Sequence, residues 1–170
     1  MHALFVLSVW IHVLAAATWV GGSLFLVIVL VPTTRDPAFR DRALDLTRRV
    51  ARRFLWVGWT CFALLIITGI FNLLVHSGMR LDLIATREFW AGSYGRVFAW
   101  KMALVGVILV LSAIHDFVLG PLATQACAGD PTSRRTGRLR VAVRWVGRFN
   151  LLLGLLVVAL GVALTRGWPW

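Results

Sequence analysis

Four histidines, His2, His12, His76 and His115, and one lysine, Lys101, are the residues of this chain best able to do chemistry, because each falls within or beside a long apolar stretch. His12 stands inside WIHVLAAATWVGGSLFLVIVL. At 1.5 Å per residue, about eight residues of burial put it roughly 12 Å below one membrane surface. A polar ring there costs free energy unless it has a partner, which makes it a functional candidate. Its chemistry would be ligation of a metal or haem, or proton carriage. The structural alternative is an imidazole hydrogen-bonded to a neighbouring helix. Trp19, two turns further along roughly the same face, would wall a pocket or simply pack. Lys101, at the opening of another apolar run, either snorkels to the headgroups or points with His12 into one polar pocket. Depths of roughly 7 Å and 12 Å allow the second reading.

His76 closes an apolar run and Met79 follows three residues later, while His2 adjoins the terminal amine. Imidazole and thioether suit copper, Cu(I) above all, and an amine beside an imidazole can chelate Cu(II). Interfacial histidines and an initiator methionine also occur without a ligand role. His115 and Asp116 lie at the far end of the run that Lys101 opens, about 20 Å away along a helix, too far to share a site with His12. Arg144 and Arg148 are expected to pair with Asp116, with a proton-transfer role as the other reading. Thr68 and Asn72, one turn apart, either face the His12 pocket or bond back to their own helix. A bis-histidine haem is disfavoured, because His12 and His76 differ by roughly 10 Å in depth and His12 and His115 by more. Ligation by His12 alone, or by His12 with Lys101, stays open. Cys61 and Cys127 cannot meet, and Cys61 reads as a small buried hydrophobe.

The elements that must position these residues are membrane helices. The chain of 170 residues is 59% hydrophobic and 15% charged, against about a quarter charged in soluble domains. Four runs reach the roughly 20 apolar residues that a span needs: 4–31, 54–76, 97–119 and about 143–165. The first lacks a basic leader and a small-residue cleavage site, so it is read as a span and not as a signal peptide. The expected fold is an all-α, single-domain bundle of four transmembrane helices, at about 4–31, 38–76, 97–119 and 143–165.

A net charge of +11 resembles a nucleic-acid signature until the charges are placed. Seven arginines fall in 32–53 and six in 121–148, against three and Lys101 in 77–101. Both arginine-rich connections share one side, which should be cytoplasmic, with both termini outside. The charge is then a topology signal with affinity for anionic lipid, and no nucleic-acid partner is expected. Pro32 should break the first helix, and the second should begin near residue 38 with an amphipathic basic extension. An amphipathic stretch around 81–90 is expected along the outer interface. Trp90, Tyr94, Trp100, Trp168 and Trp170 suit the outer aromatic belt, and Trp56, Trp59 and Trp145 the inner one. Gly147, Gly154 and Gly161 repeat every seven residues, a stripe that lets helices approach closely.

With IHVLAAATWVGGSLFL at one end and WAGSYGRVFAWKMALVGVILVLSAIHDFVLGP later, the chain resembles the copper-resistance CopD family over roughly residues 4–165. The first motif carries His12, Trp19, Gly21 and Gly22, and the second Tyr94, Gly95, Arg96 and Lys101. The resemblance implies an inner-membrane protein of copper tolerance or uptake, working with a periplasmic copper-binding partner. Four spans match only the core of larger members, so a partner, a larger complex or a homo-oligomer is implied for a transport path. More distantly the spacing is similar to HemJ-type protoporphyrinogen oxidases, which have a first-span histidine and a later lysine. LVIVLVP replaces the charged and aromatic continuation expected there. The first reading is a bacterial inner-membrane protein, not an enzyme, that handles copper at its outer face through His12, His76, Met79 and His2, with Lys101 tuning the pocket. The alternatives are a haem b-dependent oxidoreductase with His12 as axial ligand, and an accessory subunit of a larger membrane complex.

Overall fold

The computed structural model describes residues 2–34, 36–76 and 85–166. Among them are helices and turns, with no strand. Four helices are long and apolar enough to cross a membrane: span one, His2–Thr33; span two, Arg42–Val75; span three, Ser93–Gly129; and span four, Arg134–Leu164. Large apolar side chains along them, such as Ile67, Val110 and Leu152, face outward. This suits helices whose backbone bonds are satisfied internally and whose outer face meets lipid.

Span one does not break at Pro32. The helix widens into a π turn at Leu26–Leu30 and closes with the α-turn Val31–Thr33. Proline lacks the N–H that would bond back one turn and crowds the carbonyl there, and a wider turn relieves both. Thr33 donates its hydroxyl to Val29 O at 2.7 Å. The same device recurs in span three, where a π stretch at Ile114–Leu119 precedes Gly120–Pro121 and the helix runs on to Gly129. Spans three and four are longer than their apolar runs: the π stretch lets span three continue through Gly120–Gly129, and a basic helix-forming stretch begins span four at Arg134.

The turn before span four is locally specified. Ser133 Oγ accepts from Thr136 N at 3.1 Å, an N-cap, and the Thr136 hydroxyl donates to Asp130 O at 2.8 Å. In the connection after span two, the short helix Arg87–Ala91 begins on Thr86, whose side chain accepts from Phe89 N. The expected interfacial stretch is thus helical over its last part, and 81–84 lie outside the described residues.

Span one packs mainly on span two, span three on span four, and span one also touches span four. The glycine stripe of span four sets the register. A Cβ on Gly147 would stand 3.5 Å from His115 Nε2, on Gly154 2.5 Å from Trp19 Cζ3, and on Gly161 3.7 Å from Lys101 Nζ. Each glycine of the repeat therefore seats one of the side chains singled out above. Trp19 is 7% exposed and is held by Gly58, Gly154 and the Phe62 ring, with centroids 5.1 Å apart. With Ala15, Cys61 and Ile108 it forms the apolar middle of the bundle. Trp19 packs as part of this core.

Candidate functional site

His12 lies between spans one and two. Its Nδ1 is 2.7 Å from Thr68 Oγ1, and the Thr68 hydroxyl donates to Leu64 O at 2.6 Å. A hydroxyl has one proton, so Thr68 must accept from His12. The ring is thereby fixed with its proton on Nδ1, and Nε2 presents a bare lone pair. Both readings of Thr68 hold together, since it faces His12 and bonds back to its own helix. Gly69 gives the ring room, because a Cβ there would meet His12 Cε1 at 3.5 Å.

Lys101 reaches the same level. Trp19 opposes Gly154 and Lys101 opposes Gly161. The seven residues between the two glycines equal the seven between Trp19 and His12, so antiparallel helices bring His12, Gly161 and Lys101 to one height. One turn nearer the amino-terminal end, Ser8 and Asn72 stand at a common height on spans one and two. Ser8 Oγ and Asn72 Oδ1 are buried without a hydrogen-bond partner. Ser8 carried no sequence signal beyond its four-residue offset from His12.

The remaining candidates separate from this layer. His2 is exposed, about 15 Å from His12 along the helix. Met79, Trp168 and Trp170, with the side chain of His76, lie outside the described residues. Tyr94 and Gly95 form a corner: Tyr94 stacks on Phe98 with planes 5° apart, and a Cβ on Gly95 would collide with the Phe89 carbonyl. Arg96 is exposed, and Gly21 faces open space while Gly22 meets Phe54. Of the second motif, only Lys101 points into the layer.

His115 and Asp116 sit at the arginine-rich end, beyond the apolar middle. The expected pairing of Asp116 with Arg144 and Arg148 is not what holds it. Asp116 Oδ1 bonds His115 Nδ1 at 2.9 Å and Oδ2 accepts from Trp59 Nε1 at 3.1 Å, while Arg148 lies over the Trp145 ring. Within the π stretch His115 and Asp116 are both half-buried, and the indole of Trp59 on span two reaches the carboxylate.

A family model described as copper resistance protein D matches residues 48–164. The chain belongs to the CopD family. The match takes in spans two to four, with Thr68, Lys101, His115 and Asp116, and stops short of span one, so the CopD resemblance of the His12 motif is not part of it. An uncharacterised protein of Aquifex aeolicus (strain VF5) is 30% identical over 165 residues, 95% of this chain and 96% of that one. This relative therefore shares nearly the full length, whereas the CopD match covers the last three spans. No solved structure matches. Family, span count and composition together make this CopD member a multi-pass membrane protein.

The donor set of the His12 layer bears on a metal. It offers one imidazole nitrogen and two oxygens, with no sulfur and with an ammonium beside them. Among the described residues no three of His, Cys, Asp and Glu converge. A closed cage for a resident ion needs a fuller ligand set. The layer is instead a place where bare acceptors can meet a passing cation. For haem, the bare Nε2 has the chemistry of an axial ligand.

Proposed function

We propose that this CopD member handles copper as its cargo in the bacterial inner membrane, with His12 as the ligand on which passage turns. The observation that carries the reading is the Thr68 bond, which commits Nδ1 and leaves Nε2 free to bind. Copper would arrive from the amino-terminal end of span one, where His2 is exposed, and meet His12 with Ser8 and Asn72 as oxygen donors. His76 and Met79, which follow span two in the sequence, are the further ligand candidates. Lys101 raises the free energy of a cation beside it. That shortens a cation's stay and suits handing on over storage. The arginine asymmetry favours an outward-facing amino-terminal end, which would be open to a periplasmic copper-binding partner.

The test is copper binding to the purified full-length protein in lipid nanodiscs, by titration of Cu(I) against a competing chelator. Wild type should bind at stoichiometric level and His12→Ala at least about tenfold more weakly. Lys101→Met should hold copper more tightly than wild type. Equal affinity in wild type and His12→Ala would sink the proposal.

A second reading is supported by the common height of His12 and Lys101 on different helices. Haem b, with His12 as axial ligand and Lys101 facing it, would supply one-electron chemistry when bound. A Soret band in the purified protein, lost in His12→Ala, would favour it over copper.

A further inference from the structure

The polar cluster at the arginine-rich end is used by neither reading. At its centre His115 Nδ1 is 2.9 Å from Asp116 Oδ1. A carboxylate accepts, so Nδ1 carries the proton and the neutral ring leaves Nε2 bare. Nε2 is directed at span four where residue 147 is glycine, and a Cβ there would be 3.5 Å away. Trp59 Nε1 fixes the other carboxylate oxygen. One turn inward along span four, Asn150 is 8% exposed. Its Nδ2 donates to Ser112 Oγ at 2.8 Å, and its Oδ1 is buried without a hydrogen-bond partner. The cluster thus offers two unused acceptors, Nε2 and Oδ1, and its ring donor is already committed.

Charge decides what such a cluster takes up. With a neutral ring, His115 and Asp116 together carry −1 beside an apolar span, where an uncompensated charge is expensive. The cations near this end leave it uncompensated. Arg144 on span four and Arg52 and Arg53 on span two are exposed, and Arg148 is drawn onto Trp145. Span one contributes the apolar π turn Leu26–Leu30 at this height. A proton on Nε2 converts the pair to a neutral imidazolium–carboxylate couple. The His115 and Asp116 side chains are 31% and 24% exposed, so the pair is not sealed inside the bundle.

We propose that His115 and Asp116 form a proton-loading site at the arginine-rich end of the bundle. Hydronium gives its proton to Nε2 and leaves as water, the carboxylate holds the resulting imidazolium, and Asn150 Oδ1 is the next acceptor inward. The layer of Trp19, Phe62, Cys61 and Ile108 separates this site from His12. The two sites are therefore independent, and the proton site stands whether the cargo is copper or not.

The experiment is a pH titration of the imidazole 15N resonances of the full-length protein in lipid bilayers, from about pH 4 to pH 9. His115-Asp116 is the single His-Asp pair in the sequence, so pairwise labelling assigns the ring without a variant. The ring should gain a proton as the pH is lowered. Asp116→Asn should weaken its proton affinity at least about tenfold, a fall of about one pH unit in the midpoint. Asp116→Glu should restore most of the difference. A ring that stays neutral throughout, or a midpoint indifferent to Asp116→Asn, would reduce the cluster to a tie between spans two and three and overturn the proposal. No metal enters the measurement, so its failure is distinct from failure of the copper reading.

Discussion

At the scale of the residue, one hydroxyl decides what His12 can do. Thr68 accepts from Nδ1 and donates to Leu64 O, a relay that satisfies a buried imidazole donor and leaves the opposite nitrogen bare. Removing the acceptor strands that donor in the interior, at a cost of about 1–3 kcal/mol. Thr68→Val should therefore lower the thermal unfolding midpoint in detergent, while Thr68→Ser, which keeps the hydroxyl, should stay close to wild type. Equal midpoints for Thr68→Val and wild type would show that the bond does not hold the ring. The sequence marks His12 plainly, because an imidazole amid leucine and alanine is conspicuous. It cannot say which neighbour satisfies the ring, since Thr68 and Asn72 share a helix face one turn apart and the register between spans one and two decides which of them meets His12. For Asp116 the residue types misled: arginines at matching helical height suggest ion pairs, yet the indole of Trp59 is the nearer donor.

At the scale of the element, the glycine repeat of span four does more than permit close approach. Trp19 fills the space where a Gly154 side chain would be, at 2.5 Å from the ideal Cβ. An indole cannot yield as a flexible chain would, so Gly154→Ala should destabilise by about 1–3 kcal/mol. Gly106 has nothing within 4 Å of its ideal Cβ, and Gly106→Ala should be neutral or stabilising by up to about 1 kcal/mol. Thermal unfolding of the two variants side by side separates seating from generic helix propensity. The seven-residue spacing was legible as a stripe; what each glycine faces was not, because that depends on a register no single helix encodes. The start of span four offers a pH test. Hydrogen bonds from the Thr132 side chain and backbone, with Ser133, hold the Asp130 carboxyl below its usual range. A depressed carboxyl contributes stability at neutral pH and loses it as pH falls through its folded value. The stability gap between wild type and Asp130→Ala should accordingly narrow on acidification, and a gap that widens would contradict this cap.

At the scale of the whole molecule, the fold was legible in the sequence because lipid imposes length, and length is countable. The four apolar runs fixed the number of spanning helices, and only the ends of these moved, where basic sequence and the two π turns carried helices past the hydrocarbon. Orientation rests on a different physics, the excess of arginine in two connections, and it decides which way His12 and His115 face. The chain carries its own reporters for it. Cys61 is buried in the apolar middle, whereas Cys127 is partly exposed at the arginine-rich end, its sulfur 3.1 Å from Arg140 Nε. A membrane-impermeant maleimide should therefore read Cys127 alone, with Cys127→Ser as the blank. In a bacterial host, intact spheroplasts should stay unlabelled and inverted membrane vesicles should label. That outcome sets the His12 layer toward the periplasm and the His115–Asp116 pair toward the cytoplasm, so that cargo and proton would enter from opposite faces. The reverse pattern would invert both assignments and move the proposed copper partner to the cytoplasm.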